Sequence, residues 1–202
     1  VSRALTYGAT HPYGEITNES TVSNISLEDC KNYYNSYFKP GNAYLVIVGD
    51  ITPEAAKVKA EKYFGSWPAG KTPEYEYTFP KGVDNTSVAF IDKSGAVQSV
   101  INITYALDLK PGAPDVIPAR VMNTILGSGF SGRLFKNLRE DKAYTYGAYS
   151  SLDDDELVGN FSANASVRNE VTDSAVTQFL YEMDRIRMEK VTDKELTAIK
   201  NV

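Results

Sequence analysis

Gly129-Phe130-Ser131-Gly132-Arg133-Leu134-Phe135-Lys136-Asn137-Leu138-Arg139-Glu140-Asp141-Lys142-Ala143-Tyr144-Thr145-Tyr146-Gly147-Ala148-Tyr149-Ser150 is the stretch around which the chain is organised. It reads as a glycine-rich turn, a short helix over about 131–140, and a strand over 144–151. Upstream, residues 114–126 read as a helix that Gly127 stops. Further upstream, 87–92 and 97–107 read as strands around the turn Lys93-Ser94-Gly95, with Ile101, Ile103 and Tyr105 alternating with Asn102 and Thr104. Downstream, an acidic turn at Asp153-Asp154-Asp155 leads into a strand over 157–167. A long amphipathic helix then carries Val176, Phe179, Leu180, Met183 and Ile186 at helical spacing.

Strands in hairpin order, grouped with long helices, predict an α+β fold: a mostly antiparallel sheet covered by helices on one face. The N-terminal part is organised differently. Residues 1–25 are polar and without a clear period. Ser26 caps a predicted helix from Leu27 to about Phe38, which places Leu27, Cys30, Tyr34 and Tyr37 on one face. Tyr44 to Val48 reads as a buried strand, and Thr52-Pro53 opens a second helix that runs to Gly65. Pro68, Pro73 and Pro80 with Gly70 and Gly82 mark a linker. The expected division is residues 1–70 and residues 71–202.

Bulk properties narrow the function. The chain has 202 residues, 42% of them hydrophobic, enough for a core, and no apolar run reaches membrane-spanning length. A net charge of -5 argues against a nucleic-acid footprint. A single cysteine excludes an internal disulfide framework, and its place on the apolar helix face predicts a buried, inert thiol. Val1 at the start, and a last helix that begins with the capping box Thr192–Glu195 and meets no stop signal, suggest a piece of a longer polypeptide.

The 129–150 stretch resembles the substrate-binding segment of the M16 zinc metallopeptidases (insulinase, pitrilysin and mitochondrial processing peptidase). The resemblance continues in family order through Ser26-Leu27-Glu28-Asp29, Tyr37-Phe38-Lys39-Pro40-Gly41-Asn42-Ala43, Leu45-Val46-Ile47-Val48-Gly49-Asp50, Lys62-Tyr63-Phe64-Gly65-Ser66-Trp67-Pro68, Gly95-Ala96-Val97-Gln98-Ser99 and Asn123-Thr124-Ile125-Leu126-Gly127. It implies an M16/LuxS-like half-domain, truncated at its C-terminus and preceded by the helix–strand–helix tail of another. By that resemblance, the truncated domain is expected to lack its own last strand. Residues 44–48 are therefore a candidate to fill that place, within the chain or by exchange between chains.

By the same resemblance, Arg139 and Tyr146, seven positions apart, are the substrate-binding pair. Tyr146 would donate a hydrogen bond to the developing oxyanion, and Arg139 would hold a substrate backbone carbonyl. Tyr144 and Tyr149 crowd the same segment, and Tyr144 is expected to share the face of Tyr146; the spacing of seven and the neighbouring Gly147 single out Tyr146. The family's zinc is held by His-x-x-Glu-His and a distal Glu. This chain has one histidine, His11, in a turn-like His11-Pro12-Tyr13-Gly14, so no zinc site is expected here. Zinc is expected instead in a companion domain of the same chain or a partner subunit. The implied substrate is a peptide or unfolded polypeptide.

Three further signals carry blander readings. Gly127-Ser128-Gly129-Phe130-Ser131-Gly132 matches a dinucleotide fingerprint, but it follows a helix and lacks a βαβ unit, so it reads as a helix–helix turn. The acidic run Asp153-Asp154-Asp155-Glu156 reads as a solvated turn. Asn18-Glu19-Ser20 and Asn160-Phe161-Ser162 are sequons, meaningful only in a eukaryotic secretory context. Two rivals to the substrate-binding reading stand: a non-catalytic M16-like scaffold or partner subunit, and an unrelated small-molecule-binding α+β domain. The compartment is open between bacterial cytoplasm and envelope.

Overall fold

β3 (Gly159–Arg168) is the central strand of the sheet in this computed structural model, which describes residues 1–83 and 85–200. β1 (Gln98–Leu107) and β2 (Thr145–Asp153) flank it, both antiparallel, in the order β1-β3-β2. Among the described residues these three strands make up the sheet. β1 pairs with β3 from Gln98↔Arg168 to Leu107↔Gly159 without interruption. β2 does not: Thr145 faces Val167 and Ala148 faces Ala165, so Tyr146 and Gly147 together oppose Ser166. That is a β-bulge, an extra residue in one strand that bends it and re-aims its side chains.

Alternation in β3 decides which face is the core. Phe161, Ala163, Ala165 and Val167 are buried, whereas Asn164, Ser166 and Arg168 are exposed. Three helices cover the apolar face: α5 (Val116–Gly127), the single turn α6 (Arg133–Phe135) and α7 (Thr172–Met188). Leu126, Leu134, Leu138 and Phe179 pack with the sheet residues into one core. α8 (Asp193–Lys200) lies against α5. The opposite, polar face meets the lead-in helix α1 (Ser2–Tyr7), through hydrogen bonds between Thr6 and Thr104 (2.7 Å) and from Asn160 to the Tyr7 hydroxyl (3.0 Å). The fold is α+β with an antiparallel sheet, as the hairpin pattern requires.

The chain forms two compact units. One joins Val1–Ile16 to the residues from Tyr77 on; the other is Thr17–Glu76. The second unit holds α2 (Glu19–Ser23), α3 (Leu27–Tyr37) and α4 (Pro53–Phe64). Their caps form as the sequence requires: Ser26 and Asp29 make a capping box, and Thr52 accepts from the Ala55 N–H ahead of Pro53. None of the described residues of this unit is buried.

Several expectations need correction. Residues 44–48 form no strand; Tyr44 and Val48 are 99% and 93% exposed, and their unit contains no sheet to pair with. The idea that this segment fills a place in the β1-β3-β2 sheet within the chain therefore fails. Residues 87–92 also form no strand. The turn beside them closes, Ala96 N–H donating to the Lys93 carbonyl, but Val88 and Phe90 stay exposed and unpaired with β1. Cys30 is exposed, because no described residue of its unit is buried and the apolar face of α3 has no core within that unit. On α7, Leu180 is 44% exposed and Glu182 is buried instead.

Candidate substrate-binding site

The helix over 131–140 is regular only at its start. After α6, residues Lys136–Asp141 turn as a π-helix, with Lys142 N–H donating to the Asn137 carbonyl (3.0 Å), five residues back. Such one-turn insertions cost hydrogen-bond quality and often accompany functional sites. The chain then passes through Ala143 at φ 53, the only non-glycine residue with positive φ among those described. A methyl group there crowds the following carbonyl. Three residues later comes the bulge. Its geometry is fixed by Thr145, whose hydroxyl donates to the Ser166 carbonyl (2.6 Å) and accepts from the Gly147 N–H (3.1 Å).

These three irregularities surround Arg139 and Tyr146. The Arg139 guanidinium carbon lies 5.1 Å from the centre of the Tyr146 ring, a cation–π contact. Both side chains are exposed, Tyr146 to 81%. Tyr144 behaves differently. It lies before the first residue of β2 and packs half-buried against the core, so it does not share the setting of Tyr146. Tyr149 lies across Gly147: a Cβ on Gly147 would meet the Tyr149 ring at 2.6 Å. Beside Tyr146 an open depression of about 360 Å³ is lined by Gln98, Gly147, Tyr149, Asn164 and Ser166, all uncharged.

The glycine-rich turn is built by contact. A Cβ on Gly132 would lie 2.8 Å from the Gly127 Cα, and one on Gly127 would lie 2.7 Å from the Ser150 N, so the helix–helix turn packs directly on β2. The acidic turn, expected to be solvated, is occupied with structural work. Asp154 takes a 2.6 Å bond from Arg120, which holds its carboxyl below the ordinary value. Burial pushes Asp155 up, but bonds from the Leu157 and Val158 N–H groups and the Tyr13 hydroxyl outweigh it and leave it lowered.

The donors present do not suit the family's zinc. Among the described residues no three His, Cys, Asp or Glu side chains form a metal-sized group. His11, the sole imidazole, accepts the Tyr13 N–H at Nδ1 and packs between the Tyr7, Tyr13 and Tyr77 rings. It is a cap for the turn Pro12–Gly14. Among the described residues no helix is long and apolar enough to cross a membrane.

The sequence pointed to Arg139 and Tyr146 and the structure brings them together. It did not reveal Asn137, Ala143, Thr145 or Glu182. A π-turn and a bulge leave no periodic trace, and an asparagine and a glutamate at those positions read as surface residues.

Comparison with known proteins bears on the family and the fold. Residues 24–202 match the family described as the peptidase M16 inactive domain. The chain is 26% identical over 188 residues to the uncharacterized zinc protease YmxG of Bacillus subtilis (strain 168), covering 91% of this chain and 44% of that one. It is 24% identical over 131 residues to the non-peptidase homolog YmxG of Helicobacter pylori (strain ATCC 700392 / 26695), covering 65% of this chain and 30% of that one. The solved peptidase M16 inactive domain from Pseudomonas fluorescens shares the fold, with a TM-score of 0.80 at 24% identity, over 98% of this chain and 48% of that one. The chain thus spans less than half the length of the curated relatives it matches. It belongs to the M16 peptidase inactive-domain family.

Proposed function

We propose that this chain is the non-zinc, substrate-binding part of an M16-type zinc metalloendopeptidase, acting on a peptide or unfolded polypeptide. The observation that carries the reading is the exposed Arg139–Tyr146 pair, held at 5.1 Å by a π-turn on one side and a β-bulge on the other. Irregular backbone that costs stability and places two polar side chains in solvent favours a binding role over a packing role. Arg139 offers a fixed fork of donors to a substrate carbonyl. The Tyr146 hydroxyl donates to the oxygen on which charge develops. The neutral depression beside them accommodates the adjoining stretch of peptide. The carbonyl-polarising zinc is contributed by a companion M16 domain, in the same polypeptide or in a partner subunit.

In this reading the tail of a preceding αβ domain, expected over residues 1–70, corresponds to the compact unit Thr17–Glu76, with Val1–Ile16 grouped with the later residues, and the boundary falls in the proline-rich 66–82 segment. The absence of any buried residue among those described in 17–76 supports this, because a unit of that size needs a buried face to be stable.

Tyr146→Phe in the full-length, zinc-loaded protein tests the role. Loss of the hydroxyl donor lowers kcat by about 100- to 1,000-fold with little change in KM. Turnover that survives the substitution would sink the transition-state role. The second reading, a non-catalytic scaffold or partner subunit, is favoured by one observation: a relative matched here is described as a non-peptidase homolog. It predicts no turnover in the assembled protein even with zinc supplied.

A further inference from the structure

α7 carries an acid where its apolar stripe should be. Glu182 follows the buried Ala175 and Phe179 in helical register and is itself 3% exposed. A carboxylate so placed is tolerated only with partners. One is the Asn137 amide, whose Nδ2 donates to Oε1 at 2.8 Å; the other is Arg185, whose Nη1 lies 3.4 Å from Oε2. Asn137 is also buried, at 8% exposure, and its Oδ1 has no hydrogen-bond partner. An apolar pair of similar volume would serve packing at least as well. Packing alone therefore does not account for the two residues.

Their position does. The Asn137 carbonyl accepts the five-residue bond that makes the turn π-helical, and its side chain is the one that α7 grips. Two residues on is Arg139. A π-turn is rare and departs from the regular i→i−4 ladder, so a buried side-chain bond across it favours the open turn over a regular one. We propose that Asn137 and Glu182 are a positioning pair: their buried hydrogen bond keeps the π-turn open and so aims Arg139 at Tyr146. The importance of the pair rests on the substrate-binding reading of Arg139 and Tyr146, but its existence does not.

The test is a ring-current measurement on the intact polypeptide labelled with 13C-arginine, with the Arg139 signals assigned by their loss in Arg139→Lys. An arginine stacked on a tyrosine face has side-chain protons shifted upfield. The expected result is that Glu182→Leu moves the Arg139 signals to ordinary arginine positions, while Glu182→Gln, which keeps an acceptor for Asn137, leaves them upfield. The double variant Asn137→Leu/Glu182→Leu removes both polar partners, so it regains thermal stability relative to Glu182→Leu but not the upfield shift. A purely structural pair would restore both. An upfield shift that persists in the double variant overturns the proposal, whether or not Glu182→Leu alone folds. Loss of the shift together with an intact Tyr146→Phe enzyme would leave the positioning pair standing and remove only the catalytic meaning of what it positions.

Discussion

Arg133 and Glu195 form a two-pronged ion pair between α6 and α8, with Nε to Oε1 at 2.7 Å and Nη2 to Oε2 at 3.1 Å. Arg133 is 6% exposed, and the same glutamate also caps α8 through Thr192. The bond from Arg133, followed by those from Thr192, outweighs the opposing effect of burial and brings Glu195 from 4.5 down to about 2. A folded-state value below the unfolded one means that the stabilisation is complete above about 4.5 and disappears as the pH falls through about 2. Glu195→Gln is expected to cost about 2 kcal/mol at neutral pH. Urea unfolding of parent and variant should converge as the pH drops across that window. A gap that stays constant down to pH 2 would show that the pair contributes nothing through its charge.

Ala143→Gly should stabilise the protein. The left-handed conformation at φ 53 costs an alanine about 1 kcal/mol more than a glycine. The extra freedom of glycine in the unfolded chain takes back part of that gain. A rise in the denaturant midpoint with unchanged slope is the expected signature; a fall would mean that the Ala143 methyl makes a favourable contact.

Gly132→Ala should destabilise by about 1–3 kcal/mol, the cost of overpacking a rigid contact. The obstacle is the Gly127 backbone, which cannot rotate away as a side-chain tip would. Thermal unfolding of this single variant checks it.

Phe179→Ala should cost about 3–5 kcal/mol, whereas Leu180→Ala should stay within about 0.5 kcal/mol. The two are neighbours on one apolar stripe by spacing, yet one is fully buried and the other is 44% exposed. Equal losses would mean that α7 is rotated so that both side chains face the core.

What was legible followed from local chemistry. The Ser26 and Thr192 capping boxes and the strand β1 each depend on a few adjacent residues, and each formed; α5 runs one residue further than expected, through Gly127, and is capped by Ser128. What was not legible depended on partners. Residues 44–48 have the composition of a strand, but a strand exists only where an edge accepts it, and composition carries no information about the edge. The same holds for 87–92 and for Cys30. At the candidate site, the seven-residue spacing of Arg139 and Tyr146 pointed to the pair. The π-turn and bulge between them are insertions into a hydrogen-bond ladder, which substitution-based patterns cannot register.

Those two insertions mean that the pair is set by chain length as well as by the side chains that hold the π-turn and the bulge. Each adds one residue to an otherwise regular element and leaves the flanking core residues, Leu134 and Phe135 before and Ala148 after, in place. Deleting one residue from either would regularise the helix or the strand, turn Arg139 or Tyr146 away from its neighbour, and leave the interior nearly undisturbed. Relatives could thus lose or regain this constellation through single-codon deletions and insertions, with the scaffold intact and every surrounding residue unchanged.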